Sequence, residues 1–176
     1  GMAPETVARI LASQHTISPH RMALSTVNRE GTSFTLIDDS FNANPDSMKA
    51  GLNGLKAWNS NDGKEPFRVA LLGAMLELGA DETALHTSIG TYADELGIDA
   101  IIAVGSAQDQ HLDALAQALA DGARQSQSAS VDCVHDIDAA EQLVIDLARN
   151  HPDAVVLLKG SHASGLSALA ERWAKN

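Results

Sequence analysis

One stretch of ten residues, DDSFNANPDS at positions 38–47, concentrates side chains that could bind a nucleotide. It contains paired carboxylates, an aromatic ring and two amides, namely Asp38, Asp39, Phe41, Asn42 and Asn44. Paired carboxylates can hold a metal ion or accept hydrogen bonds from ribose hydroxyls. The amides suit an adenine edge or a ribose, and the ring can stack on a flat base.

The same stretch is also typical of a helix start, and spacing alone favours this simpler interpretation. In it, Asp46 or Ser47 is the N-cap, the Asn and Pro residues make the turn, and both acids lie in solvent. The residue types therefore leave a nucleotide site and a plain helix start both open.

A second group of candidates follows a buried apolar run. Lys159, Gly160, Ser161 and His162 end a predicted strand and lead into a helix N-terminus, where backbone N–H groups and the helix dipole suit an anion. With equal weight, Ser161 only caps the helix and Lys159 extends its ammonium group into solvent.

Two further polar residues have simple interpretations when taken alone. Arg21, just before the first predicted strand, reads as an exposed basic residue without a role. His86, one residue from a helical leucine stripe, reads as a packed histidine.

Several familiar catalytic motifs are missing from the sequence. It contains no G-x-x-x-x-G-K-[ST] phosphate loop, no G-x-G-x-x-G fingerprint and no G-x-S-x-G elbow. Its seven histidines form no H-x-x-x-H pair, and no Cys/His cluster has zinc spacing. We therefore assign no catalytic residue and no metal ligand within this chain.

The elements that must position these residues alternate along the chain. Continuous apolar runs at 69–72, 101–104 and 154–158 predict strands buried on both faces. Further strands are predicted over 22–28, 33–39 and 131–134, and helical stripes fill the intervals, with a first helix near 4–13 and a last over 162–174. This alternation predicts an α/β fold whose ligands bind at the carboxyl ends of the strands.

Composition limits the classes of function. The 176 residues suit one domain, and 12 basic against 23 acidic residues argue against a nucleic-acid footprint or adsorption to an anionic membrane. No apolar run approaches the ~20 residues of a membrane span. A single cysteine, Cys133, fits a reducing compartment, and the N-terminus lacks a signal peptide, so we expect a cytoplasmic protein.

Taken together, four strings resemble the C-terminal domain of Mur ligases in their order and spacing. They are RM at 21–22, IDDSFNANPDSM at 37–48, VALLGAMLELG at 69–79 with a later His86, and VVLLKGS at 155–161. The resemblance covers about residues 20–175. It is greatest to the MurF type, whose members add D-alanyl-D-alanine to a UDP-N-acetylmuramoyl tripeptide.

The resemblance implies a fold, a reaction and a domain organisation. The fold is a Rossmann-like three-layer domain with a mostly parallel sheet and one antiparallel strand. The enzyme uses ATP with Mg²⁺, both held mainly by a central domain, forms an acyl phosphate on the precursor, and lets the dipeptide amine attack it. Residues 1–19 are then a tag remnant plus the last helix and linker of that central domain, and 20–176 are the C-terminal domain, inactive alone.

The resemblance also implies roles for individual residues. Asp39 holds the ATP ribose, Asn42 and Asn44 lie beside the adenosine, and Phe41 stands where Tyr is more usual. Arg21 reaches the ribose or phosphates. Lys159, Gly160 and Ser161 match a motif associated with the D-alanyl-D-alanine end.

Three positions depart from the family pattern, namely His20 for Gly, Ala74 for Asp and His162 for Arg. Because His does not reproduce the bidentate grip of Arg on a carboxylate, the dipeptide contact is the one affected. Two rival interpretations remain: a phospho-acceptor receiver domain, which needs an aspartate where this chain has Gly73 and Ala74, and a free-standing nucleotide-binding module.

Overall fold

The computed structural model describes residues 20–175, and the predicted helix near 4–13 and the assignment of residues 1–19 lie outside them. Six strands form one sheet: β1 (Ala23–Arg29), β2 (Thr32–Asp39), β3 (Arg68–Gly73), β4 (Ala100–Val104), β5 (Ser130–Val134) and β6 (Val155–Lys159). Their order is β1-β2-β6-β3-β4-β5. Within the described residues β1 and β2 pair antiparallel and all other neighbours pair parallel, which confirms the predicted fold class.

Five α-helices cover the two faces of the sheet in residues 20–175: α1 (Pro45–Ala57), α2 (Glu82–Glu95), α3 (Gln110–Ala123), α4 (Ile137–Asn150) and α5 (Leu166–Ala174). The first three pack on one face, where Leu52, Ile89 and Leu119 meet strand residues such as Ile37. On the other face α4 and α5 pack Val144 and Trp173 against residues such as Leu36. Since neighbouring strand residues point to opposite faces, the continuous apolar runs supply both cores and make three layers. None of the helices described is long and apolar enough to cross a membrane.

The N-cap of helix α1 lies two residues before Asp46 and three before Ser47, the two residues predicted for it. The Ser47 amide donates to Asn44 Oδ1 at 2.8 Å, and the Asn44 amide donates to Ser47 Oγ at 3.0 Å. This reciprocal capping box makes Asn44 the N-cap and puts Pro45 in the first turn, where its missing N–H costs no hydrogen bond. The assignment of the cap to Asp46 or Ser47 is wrong, because Asn44 is the residue with the extended backbone.

The predicted last helix over 162–174 is interrupted. Residues His162–Ser164 form a short 3₁₀ turn, and Gly165, with φ of +78°, separates it from α5. A left-handed backbone angle suits glycine and cannot continue a helix. The turn after β6 is therefore a separate loop, and α5 starts only at Leu166.

Candidate functional site

Asp39 and Lys159 end the neighbouring strands β2 and β6 and are partners in the strand register. Lys159 Nζ lies 2.8 Å from Asp39 Oδ2, and the two side chains are only 3% and 15% exposed. The same ammonium group donates to the Asn42 carbonyl oxygen at 2.8 Å, and the Met22 amide donates to Asp39 Oδ1 at 3.3 Å. The expectations of a solvated Asp39 and a solvent-directed Lys159 are both wrong, because strand pairing buries them against each other.

The surroundings of Asp39 have two opposing effects on the pKa of its carboxyl group. Burial raises the pKa of Asp39 above its ordinary value, because the charged form loses water. The ion pair with Lys159 and the hydrogen bond from Met22 oppose that rise without cancelling it. The ionised form of Asp39 thus depends on Lys159.

Asp38, the neighbour of Asp39, points to the opposite face of the sheet. Its Oδ2 lies 2.7 Å from His20 Nδ1, and its Oδ1 accepts the Ser40 hydroxyl at 2.6 Å. The two acids therefore do not converge, and the metal pair considered from their sequence is not formed. Across residues 20–175, no three His, Cys, Asp or Glu side chains are placed to hold one metal ion. Sequence reasoning missed the contact between His20 and Asp38, which spans 18 positions.

A cleft of about 340 Å³ opens beside the Asp39–Lys159 pair, between β2, β6 and the start of α1. Its lining includes all five residues predicted for the nucleotide, namely Arg21, Asp39, Phe41, Asn42 and Asn44. Lys159, predicted with the other group, lines it as well, and so does Gly51 of α1, where an added Cβ would lie 3.3 Å from Lys159 Cδ. The volume falls within the usual range of small-molecule sites.

The cleft carries positive charge and one exposed ring. The Arg21 guanidinium lies over the Phe41 ring, 4.2 Å from its centroid, a favourable cation–π contact. Phe41 is still 49% exposed, so its ring presents surface to a ligand. The side-chain oxygens of Asn42 and Asn44 accept from backbone amides, which leaves their NH₂ groups better placed to meet a ligand.

The remaining three candidates form a separate turn beside the end of β3. The Ser161 amide donates to the Ala74 carbonyl oxygen at 2.9 Å. Gly160 packs directly on Gly73, where an added Cβ would lie 2.9 Å from the Gly73 Cα. His162 Nδ1 lies 3.2 Å from Ser167 Oγ. The structure therefore splits the predicted Lys159–His162 group between the cleft and this turn.

Ser161 does not act as the helix cap considered from the sequence. It makes no side-chain cap hydrogen bond to the 3₁₀ turn that follows it. Ser161 is only 5% exposed, and its Oγ is buried without a hydrogen-bond partner among residues 20–175. Its buried hydroxyl retains the capacity to bind a polar group.

His86 is packed, as predicted. Its ring is fully buried on α2 and contacts the Met75 amide and the Glu82 carbonyl. Met75 follows Ala74, so His86 lies next to the loop that supports Ser161. The sequence feature that could have indicated the contact between His86 and Met75 is the position of His86, seven residues after the LGAMLELG string at 72–79.

The sequence of this chain is similar to one protein family and to several of its members. A family model described as Mur ligase, glutamate ligase domain, matches residues 20–162. The chain is 37% identical over 180 residues to the UDP-N-acetylmuramoyl-tripeptide--D-alanyl-D-alanine ligase of Mycobacterium leprae (strain TN), covering 97% of this chain and 33% of that one. The ligase of the same name from Mycobacterium tuberculosis (strain ATCC 25618 / H37Rv) is 37% identical over 179 residues, covering 97% and 34%.

Solved structures show the same fold. A crystal structure of MurF from Acinetobacter baumannii superposes with a TM-score of 0.68 at 25% identity, over 93% of this chain and 31% of that one. MurF ligase from Thermotoga maritima in complex with ADP gives a TM-score of 0.61 at 21% identity, over 97% and 36%. This chain spans about a third of the length of the relatives it matches.

Proposed function

The chain belongs to the Mur ligase family, and we propose from this that it is the C-terminal domain of an ATP-dependent ligase joining D-alanyl-D-alanine to a UDP-N-acetylmuramoyl tripeptide. The observation that carries this proposal is the 37% identity over 97% of the chain to ligases of that name. Membership of this family argues against the rival interpretation as a signalling receiver domain. A receiver domain also needs an aspartate where this chain has Gly73 and Ala74.

We assign the nucleotide to the cleft beside Asp39. Arg21 supplies positive charge for the phosphate groups, since the charge of Lys159 is already paired with Asp39, and Phe41 offers a ring to the base. Asp39 already bonds to Lys159 and Met22, so ribose hydroxyls would donate to its remaining lone pairs. Asn42 and Asn44 border the same opening and would contact the adenosine.

The dipeptide end is assigned to the turn of Gly160, Ser161 and His162. The buried, unpartnered Ser161 hydroxyl supports a polar ligand there. Lys159 joins the two regions, because it precedes Gly160 in the chain and pairs with Asp39 in the cleft. His162 stands in place of the usual Arg and offers a single ring nitrogen rather than a bidentate group.

The chemistry itself is assigned to other parts of the enzyme. In the proposed reaction ATP converts the precursor carboxylate into an acyl phosphate, and the amine of D-alanyl-D-alanine attacks it. Since the sequence contains no G-x-x-x-x-G-K-[ST] motif, we assign the phosphate loop, and with it the Mg²⁺, to a central domain. Residues 1–19 would belong to the end of that domain, and the reaction would take place in the cytoplasm. The isolated chain would then be inactive.

The proposal is tested by measuring phosphate release and product mass with Mg²⁺-ATP, the tripeptide precursor and D-alanyl-D-alanine. The full-length protein should require all three substrates, and L-alanyl-L-alanine should not replace the dipeptide. The 176-residue chain should stay at background. Turnover by this chain alone, abolished by Asp39→Asn, or a full-length protein indifferent to the dipeptide, would contradict the assignment.

A further inference from the structure

His86 is held by the backbone at both ring nitrogens, and this fixes its protonation. The Met75 amide donates to Nε2 at 2.9 Å, so Nε2 must carry a lone pair. Nδ1 lies 2.6 Å from the Glu82 carbonyl oxygen, which can only accept, so Nδ1 carries the proton. The geometry therefore specifies one neutral tautomer, and a second proton on Nε2 would face the Met75 N–H.

The Met75 amide leads by short contacts to the turn after β6. Ala74, one residue earlier, accepts the Ser161 amide at 2.9 Å. Gly73, one residue earlier still, lies so close to Gly160 that a Cβ added at Gly160 would lie 2.9 Å from the Gly73 Cα, while a Cβ added at Gly73 would collide with the Ser164 side chain. A shift of the turn at Met75 must therefore move Ser161, whose buried hydroxyl is unpartnered within residues 20–175.

We propose that His86, as its neutral Nδ1–H tautomer, is a positioning residue that holds the turn of Gly73–Met75 and through it sets the place of Ser161 for the incoming dipeptide. This inference rests on the proposed function, which assigns the D-alanyl-D-alanine end to the Gly160–His162 turn. His86 acts on that turn through the backbone of Met75 and Ala74. The cleft at Asp39 lies at a different strand end, and neither His86 nor the residues of Gly73–Met75 line it.

The surroundings of His86 are consistent with a neutral ring. Burial lowers the pKa of His86, and the charge of His111 on α3 acts in the same direction, while Glu82 on α2 opposes it. His111 Nε2 in turn lies 3.2 Å from Glu82 Oε1. A lowered pKa keeps the acceptor at Nε2 available through the neutral pH range.

The first test uses the 176-residue chain and needs no activity. Nitrogen-15 NMR of the imidazole should show a protonated Nδ1 and an unprotonated Nε2 for His86 at pH 7, and the reverse assignment would overturn the proposal. His86→Phe keeps the ring shape but removes the acceptor, so it should shift the amide resonances of Met75 and Ser161 and leave those of Asp39 and Phe41 in place. Unmoved Met75 and Ser161 resonances in a folded variant would also overturn it.

The second test uses the full-length enzyme and separates the two substrates. His86→Phe should raise KM for D-alanyl-D-alanine about fivefold to tenfold with KM for ATP unchanged. His86→Gln, which retains an acceptor at similar reach, should recover part of that loss. His135→Gln is the matched control, because that ring is exposed and bonds only to the Asp113 side chain among the contacts described.

The outcomes distinguish failure of this inference from failure of the proposed function. Equal rises in both KM values, or no rise in a folded His86→Phe enzyme, would reduce His86 to a general packing role. A wild-type enzyme that does not ligate the dipeptide would remove the proposed function, while the ring-nitrogen and Ser161 measurements would still decide whether His86 holds the turn. If the Phe variant does not fold, the Gln variant and the wild-type imidazole carry the test.

Discussion

Asp39 and Lys159 are 120 positions apart in the chain, yet they face each other in the strand register and their charged groups meet at 2.8 Å. Strand order causes this contact, because β6 lies between β2 and β3 and brings its carboxyl end beside Asp39. The pair forms one wall of the proposed nucleotide cleft. The interaction between the two charges should therefore affect both the free energy of unfolding and nucleotide binding.

The two charges should be strongly coupled in the free energy of unfolding. Lys159→Met leaves the buried carboxylate without its cation, so it should destabilise the chain. In an Asp39→Asn background the same change should cost less by about 1–2 kcal/mol, because no unpaired carboxylate remains. Urea unfolding at pH 7 of both single variants and the double variant measures this coupling, with Glu95→Gln on exposed α2 surface as a control. Additive free energies would show that the pair has no energetic coupling.

Removing Lys159 should also change how Asp39 titrates. Both contributions of Lys159 lower the pKa of Asp39, so Lys159→Met should raise that pKa further above its ordinary value of 3.8. A carboxyl with a raised folded-state pKa contributes stability below pH 3.8 that is lost as the pH rises through the folded value. In Lys159→Met the contribution of Asp39 to stability should therefore be lost over a pH range that extends to higher pH than the corresponding range in the wild type. Carbon-13 NMR titration of Asp39 gives the pKa directly, and an unchanged or lower value would contradict the ion pair.

The turn of Gly160–His162 packs so closely on the turn of Gly73–Met75 that there should be no room for a side chain at Gly160. An added Cβ would lie 2.8 Å from Ser164 Oγ and 2.9 Å from the Gly73 Cα. Gly160→Ala should therefore destabilise the chain by about 1–3 kcal/mol, the usual cost of overpacking. Gly54→Ala is the matched control, since its Cβ would meet only the flexible end of Met22. Thermal unfolding that ranks the two variants in the opposite order would contradict the close packing.

Much of the fold could be predicted from the sequence, because buried parallel strands leave continuous apolar runs such as 69–72. Asp39, Phe41, Asn42 and Asn44 could be grouped from the sequence because they lie at the end of one strand and in the next few positions, and the structure places them with Arg21 around one cleft. The Asp39–Lys159 pair could not be predicted, because its contact depends on strand order, which local pattern does not encode. The break at Gly165 was missed because the residues before it continue the apolar spacing of α5. The N-cap of α1 was misplaced because three residues of the same turn could cap that helix.

Nucleotide binding by the isolated chain should be weak. The cleft offers contacts for a base and a ribose but no phosphate loop, so we expect a dissociation constant for ATP on the order of millimolar, or about 4 kcal/mol of binding. Amide shifts during an ATP titration should be confined to the cleft, with Arg21 and Phe41 among the residues that move. Micromolar affinity by calorimetry would instead favour a free-standing nucleotide-binding module.

The assignment of ribose to Asp39 is tested most directly by steady-state kinetics of Asp39→Asn in the full-length enzyme. The substitution keeps the shape of the side chain and loses the charge that strengthens hydrogen bonds from the ribose hydroxyls, each worth roughly 1.5–3 kcal/mol. We expect KM for ATP to rise about tenfold or more and KM for D-alanyl-D-alanine to change little, because the dipeptide is assigned to the Gly160–His162 turn. A folded variant with normal KM for ATP, or with the larger change in KM for the dipeptide, would contradict the assignment of ribose to Asp39.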